Sequence, residues 1–301
     1  MERAYVSLDA LIQTRFNARG LDVRRRSHAV SQLAGSQRSV FRGRGLDFDE
    51  VRIYQAGDDI RAIDWRVTAR SGQPHTKLFR EERERPTLIA VDQRRGMFFG
   101  SQRCKSVLAC RLAASLAWAA LAANDRVGGL VFGDQQHRDV RPRRSRQSVL
   151  QLLEQLHHHN HLLQHPGPSA GGLARALTEL RRIARPGSSV FVLSDFSGDD
   201  WPACEQQLGL LARHCDITAI LISDPLEREL PRPGQYLVSD GRQRALLDSH
   251  GAARRARYRA QFETHCDHLQ SRLAGFRIPL LLAGTDDDEA PWLARYFGAR
   301  R

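Results

Sequence analysis

Lysine is nearly missing from this chain, and so are paired cysteines and long apolar runs. Lys77 and Lys105 are its only lysines, so the net charge of +12 is carried almost wholly by arginine. The five cysteines (Cys104, Cys110, Cys204, Cys215 and Cys266) are odd in number, scattered, and never spaced as C-x-x-C. That excludes a thiolate zinc ribbon and points to reduced thiols. Cys104 and Cys110 fall in a helical stretch, where each reads as a small buried hydrophobe. No apolar run approaches the roughly 18 residues of a membrane helix. The longest, around Leu112–Ala123, is interrupted by Ser115 and rich in alanine. Residues Met1-Glu-Arg-Ala-Tyr5 lack the basic-then-apolar layout of a secretion signal. A soluble, cytoplasmic protein without integral membrane insertion is expected.

What is present is a globular composition. With 301 residues, 41% hydrophobic and 27% charged, the chain is neither disordered nor too short for a large core. The arginines are spread along it, many beside acids, as in Arg80-Glu-Glu-Arg-Glu-Arg85. Only Arg24–Arg26 and Pro142-Arg-Arg-Ser-Arg146 form local clusters. Without an RNP-type aromatic motif or a zinc finger, nucleic acid is not an expected partner.

Residues 1–86 are polar and rich in Gly, Arg and Asp, opening on one short helical pattern (Leu8, Leu11, Ile12, Phe16) before irregular sequence. From residue 87 to 301, strand and helix signals alternate, which predicts a mostly parallel sheet flanked by helices. Strands are expected at Thr87–Asp92, Val127–Phe132, Ser189–Ser194 and Ile217–Ile222. A weaker one falls near His137–Arg141, and a last one at Arg277–Leu282, where Pro279 suits only a sheet edge or a delayed start. Helices fit over Ser101–Ala123, Ser145–His161, Gly172–Ala184, Trp201–His214, Ala252–Leu273 and Ala290–Phe297, with a hairpin over 235–248 turning at Asp240-Gly241. Two domains follow: an accessory segment, 1–86, and an α/β domain, 87–301.

Ligands of open α/β sheets gather at the carboxyl ends of the strands. Here Asp92, Asp195 and Asp224 each follow a strand, and the last strand runs into Asp286-Asp287-Asp288. Converging carboxylates suit a hard cation such as Mg²⁺, while acids after strands also serve as turn formers and helix caps.

The layout from Thr87 onward resembles a von Willebrand factor type A domain, a Rossmann-like doubly wound sheet with helices on both faces. Such domains hold a divalent ion at this rim through Asp-x-Ser-x-Ser, a threonine in a Gly-Gly-Thr-like turn, and an Asp after the fourth strand. The matching stretch here is Asp92-Gln-Arg-Arg-Gly96, with Arg94 and Gly96 where the serines belong. Ala170-Gly171-Gly172-Leu173 offers no threonine, Ser169 being the nearby hydroxyl, and Asp195 in Leu-Ser-Asp-Phe meets the third element. The resemblance therefore implies a degenerate metal site of Asp92, Ser169 and Asp195, for Mg²⁺ or Mn²⁺ if any ion. Arg94 is expected to pair with Asp92 and take over the ion's electrostatic role.

A longer signature precedes it. Gly45-Leu-Asp-Phe-Asp-Glu-Val-Arg-Ile-Tyr54, Gly57-Asp-Asp-Ile-Arg-Ala-Ile-Asp-Trp65 and Thr68-Ala-Arg70 are similar to the family known as domain of unknown function 58. Its members often occur beside MoxR-type AAA+ ATPases. The resemblance implies a non-catalytic adaptor that recognises such an ATPase, other von Willebrand type A proteins being further partners. On the residues themselves, Gly57-Asp58-Asp59 forms a turn, Arg61 and Asp64 can pair, and Trp65 is a large apolar anchor. Asp58, Asp59, Arg61, Asp64, Trp65 and Arg70 are thus the candidate partner-binding residues, read equally as an internally braced turn.

Competing chemistries fit the same residues. One is a metal-dependent protein in which Asp92, Asp195 and an acid near Asp286 hold the ion for a partner carboxylate; another is a hydrolase using the same acids. A P-loop needs Gly-Lys-Ser/Thr, and around Lys105-Ser106 the glycine positions are Phe99 and Cys104. Gly167-Pro-Ser-Ala-Gly171 spells a nucleophile elbow but follows no strand. His157, His161 and His165 share a helix face at a metal-gripping spacing, but Pro166-Gly167 favours an exposed, fraying helix end.

Overall fold

The computed structural model describes residues 3–23, 46–55, 58, 60–81, 85–165, 172–198, 201–239 and 244–298, with backbone only at 46–50 and 77–81. They fall into two compact units, one of residues 1–35 with 85–301 and one of residues 36–84.

The large unit is built on a six-stranded sheet. Strands β3 (Pro86–Asp92), β4 (Arg126–Phe132), β6 (Ser189–Ser194), β7 (Asp216–Ser223) and β10 (Leu280–Gly284) run parallel, and β5 (His137–Arg143) lies antiparallel to β4 at one edge. The spatial order is β10-β7-β6-β3-β4-β5. The strands on either side of the centre read as continuous apolar runs because helices cover both faces. Period-two alternation then sorts their side chains. Ile89, Val91, Phe191, Leu193 and Ile220 enter one core with Leu112, Leu116, Leu152 and Phe297. Leu88, Ala90, Val190, Val192 and Leu221 enter the other with Leu177, Leu180, Leu208 and Leu273. Gly129 keeps β4 close to β3, since a Cβ there would meet the Ile89 carbonyl oxygen at 2.3 Å.

The helices α3 (Lys105–Ala122), α4 (Arg146–Leu162), α5 (Leu173–Ile183), α6 (Trp201–Ala212), α8 (Ala252–Gly275) and α9 (Glu289–Phe297) lie close to the spans expected. Two details differ. Residues 101–104 are loop, so α3 begins at Lys105; and its 18 residues average a hydropathy of 1.3, which matches a membrane span in length and composition. The apolar run within it is interrupted by Arg111 and, as expected, by Ser115. Fifteen of its residues, Ser106 and Ser115 included, are nevertheless buried within the unit, as in a core helix. Pro279 delays the last strand to Leu280 and leaves it at the edge.

The opening residues belong to this unit rather than to an accessory segment ending at 86. Helix α1 (Leu8–Gln13) is capped by Ser7, and Val6, Leu11, Ala18 and Val23 are buried in the first core. The Val6 N–H donates to Asn160 Oδ1 at 2.8 Å, and His157 Nδ1 donates to the Val6 carbonyl at 2.9 Å. Composition misses this because few apolar side chains are needed to dock so short a helix.

The small unit is not irregular, as expected, but a β-ribbon with a helix. Strand β1 (Leu46–Ile53) pairs antiparallel with β2 (His75–Glu81), and α2 (Trp65–Ser71) lies in the connection. A register shift between Phe48 and Glu50 explains why the apolar letters change phase, from Leu46 and Phe48 to Val51 and Ile53. Helix α2 starts on Asp64 and stops at Gly72, whose φ of +73° is a left-handed cap. A second ribbon, β8 (Gln235–Ser239) with β9 (Arg244–Asp248), matches the expected hairpin; its Asp240-Gly241 turn lies outside the described residues.

Leu11 tests the membership of residues 3–23. Leu11→Ala should cost about 2–4 kcal/mol in urea unfolding; a loss below about 0.5 kcal/mol would show that the opening helix is not part of the core.

Candidate functional site at the carboxyl ends of the strands

Asp92 ends β3 and Asp195 follows β6, neighbouring parallel strands, so the two carboxylates emerge side by side. Both are buried, Asp92 fully and Asp195 at 7% exposure. Each is already saturated with donors. Arg94 donates from Nε to both Asp92 oxygens at 3.0 Å and from Nη2 to Oδ2 at 2.7 Å. The Arg94 backbone N–H and the Ser194 hydroxyl complete the set, at 2.9 and 2.6 Å. Asp195 receives Ser197 N–H at 3.0 Å and the Ser197 hydroxyl at 2.8 Å. Phe196 between them adopts φ +49°, an unfavourable conformation for a non-glycine residue, which the Asp195–Ser197 turn holds in place.

The decisive neighbour is Lys105. Its Nζ lies 2.9 Å from Asp195 Oδ2 and 2.6 Å from Glu227 Oε1, and the residue is only 2% exposed. Arg94 Nη2 also reaches Asp195 Oδ1 at 3.7 Å, joining both acid–base pairs into one network. Gly96 lies against it, because a Cβ there would be 3.1 Å from Asp195 Oδ2. Burial alone would raise the Asp195 carboxyl, but Lys105 and the Ser197 donors outweigh it and hold the group below its usual value. For Asp92, burial outweighs Arg94 and the net direction is upward. Burial would lower the Lys105 ammonium; Asp195 and Glu227 reverse that and raise it.

The other acids of the rim do different work. Asp224 caps the short α7 (Pro225–Arg228), and its own N–H donates to Glu227 Oε2. Its Oδ2 also accepts the Ser101 N–H at 2.7 Å, the Ser101 hydroxyl at 3.0 Å and the Thr285 hydroxyl, tying two loops together. Asp286 lies over Gly284 beside Arg228, so the acid that joins Asp195 is Glu227, not one near 286. Ser169 lies outside the described residues, as does Asp59. Sequence reasoning missed Lys105 and Glu227. One faint signal existed: a rare lysine stands at the head of an apolar helix, where the helix dipole disfavours it.

In the small unit Asp58 accepts Arg52 Nη2 at 2.8 Å and the Gln55 N–H at 3.0 Å. Asp64 caps α2 through the Arg66 and Val67 N–H groups. These acids brace the turn that presents Trp65, which is 68% exposed; Arg61 and Arg70 are exposed as well.

A family model described as protein of unknown function DUF58 matches residues 50–269. The chain belongs to this family. It is 30% identical to the uncharacterized proteins Mb1516 of Mycobacterium bovis and Rv1480 of Mycobacterium tuberculosis over 272 residues, which is 89% of this chain and 84% of theirs. Among solved structures, the conserved hypothetical protein BatB from Bacteroides thetaiotaomicron aligns with 70% of the chain and 94% of its own, at 14% identity and a TM-score of 0.43.

The rim of this DUF58 protein does not fit the divalent ion that the type A resemblance implies. Such an ion bonds carboxylate oxygens at about 2.0–2.6 Å, and both inward oxygens already face cationic nitrogens. Position 96 has no side chain to contribute a hydroxyl. The histidine cluster also differs from expectation. Helix α4 runs to Leu162 with His159 and Asn160 buried, so its end is packed rather than frayed, and His165 lies beyond it. His159 Nδ1 donates to the Gln155 carbonyl, and Nε2 is buried with no hydrogen-bond partner among the described residues.

Two predictions follow from these charges. Asp195→Asn strands Lys105 beside Glu227 alone and should cost about 3 kcal/mol in urea unfolding. Adding Lys105→Met should bring the double variant well below the sum of the singles, whereas strict additivity would deny their coupling. Burial, helped by neighbouring positive charge, pulls the His159 imidazole down to about 4. The unfolded chain takes up this proton near pH 6.5 and the folded protein refuses it, so stability falls as pH drops from about 6.5 to 4, by about 3 kcal/mol in total. His159→Leu should flatten that slope in melting curves taken across the window; an unchanged slope would remove His159 as its cause.

Proposed function

We propose that the protein is a non-catalytic interaction protein of the cytoplasm, with a von Willebrand type A-like unit, that works as a partner of a MoxR-type AAA+ ATPase. The observation that carries this reading is Trp65: 68% exposed, at the first residue of α2, on a turn braced by Asp58 and Asp64. A large exposed aromatic on a preorganised frame, with Ile60 at 65% and Ile53 at 54% exposure in the same unit, has the character of a binding hot spot. The strand-end rim supports the non-catalytic half. Asp92 and Asp195 are each consumed by fixed donors, so neither is poised as a general base or nucleophile. ATP hydrolysis is then the partner's task, and this chain supplies recognition.

Tagged protein recovered from its own host with and without ATP, and read by mass spectrometry, tests the proposal. An AAA+ ATPase should co-purify and be lost with Trp65→Ala, a variant whose melting temperature should stay within about 2 °C of wild type, as expected for an exposed site. Absence of any ATPase in both conditions, or recovery unaffected by Trp65→Ala in the folded variant, would sink it.

A further inference from the structure

At the rim of the sheet two carboxylates, Asp92 and Asp195, converge with two hydroxyls, Ser194 and Ser197, a donor set of the kind that surrounds a hard cation. The hydroxyls, however, point their protons at the carboxylates, at 2.6 and 2.8 Å. They act as donors to the acids rather than as oxygen ligands. Positive charge arrives from two side chains instead, Arg94 on Asp92 at 2.7 Å and Lys105 on Asp195 at 2.9 Å. Neither arrives by default. Arg94 is 12% exposed at its side chain and Lys105 is 2% exposed, at the N-terminus of an 18-residue helix whose dipole repels a cation. A lysine there is stable only because acids surround it.

We infer that Arg94 and Lys105 jointly replace a divalent cation: two side-chain monocations supply the charge of one bound ion, and the rim holds its shape without metal. Arg94 alone would not suffice, because its guanidinium is bidentate on Asp92 and reaches Asp195 only at 3.7 Å. Lys105 neutralises the second acid, and Glu227, the most exposed member at 31%, closes the network from outside. Whatever the rim contacts, it does so independently of divalent ions. This inference concerns the large unit alone and stands whether or not an ATPase is the partner.

Substitution can reverse such a replacement. The full chain should melt at the same temperature in EDTA and in millimolar MgCl₂ or MnCl₂. Arg94→Ser alone and Lys105→Met alone each leave one acid without its close cation, so each should gain less in MnCl₂ than the double variant does. The double variant should melt lower in EDTA and gain several degrees in MnCl₂, and Asp195→Asn placed on top should abolish the gain. If the double variant is unfolded in EDTA, circular dichroism after refolding with Mn²⁺ reads the same question. Recovery of structure supports the inference, and failure to recover overturns it. It is likewise overturned if the wild-type midpoint rises in MnCl₂ and Asp195→Asn removes the rise, or if a folded double variant ignores Mn²⁺.

Discussion

The contact between Lys105 and Asp195 is the constraint around which the carboxyl end of the sheet is arranged. A buried ammonium and a carboxylate 2.9 Å apart attract each other by about 6 kcal/mol at an effective dielectric constant near 20. Taking both from water costs several kcal/mol per ion. Gain and cost nearly cancel, so the pair adds little net stability and acts mainly by location. It fixes the start of α3 against the end of β6, and through Arg94 it fixes the end of β3 as well. Removing one member is what costs, because the other is then buried without its counter-ion.

The loops around this pair are fastened by further charge. Asp224 ties Ser101 to Thr285, and Glu289, at 5% exposure, takes Arg103 and Arg111 on one oxygen. Arg103 also donates to the Thr285 carbonyl at 2.9 Å. The segment between the 3-10 turn at Arg95–Met97 and α3 therefore has no regular structure of its own, yet is held by side chains from distant parts of the chain. The abundance of arginine has a structural use here. A planar fork of donors can satisfy a carboxylate and backbone carbonyls together, which an ammonium cannot do with the same geometry.

The two units place their polar and apolar side chains differently. In the large unit Asp92, Arg94, Lys105 and Asp195 turn inward and neutralise one another; among the described residues of the small unit, Asp58 and Asp64 accept from backbone N–H groups and Trp65 stays outside. Asp58 holds the Gln55 N–H in place, and Asp64 those of Arg66 and Val67 beside Trp65. Burial of charge in one unit and exposure of an apolar side chain in the other are both departures from the usual partition of residues, and they are where function is best sought.

Much of the sheet was legible in one dimension. Buried parallel strands demand uninterrupted apolar letters, and Ser189–Ser194 was readable to the residue, while Pro279 marked the edge strand because it cannot donate to a neighbour. Family membership was legible too, in the Gly57–Trp65 block. The β1–β2 ribbon was not, since a one-residue register shift breaks the alternation by which strands are recognised. The docking of residues 3–23 was hidden as well, resting on a handful of side chains and on His157 and Asn160 more than a hundred positions away. At the site, Asp92 and Asp195 could be named from their places after strands and Arg94 from the family resemblance, and the Asp92–Arg94 pair lies only two residues apart. Lys105 and Glu227 could not be named. Ninety positions separate Lys105 from Asp195, and a charge finds such a partner only when parallel strands and a crossover helix bring both to one rim. Local pattern determined the elements and the family. Only tertiary structure decided which charges meet, because the energy of a buried ion depends on what is within a few ångströms of it, not on what is beside it in the chain.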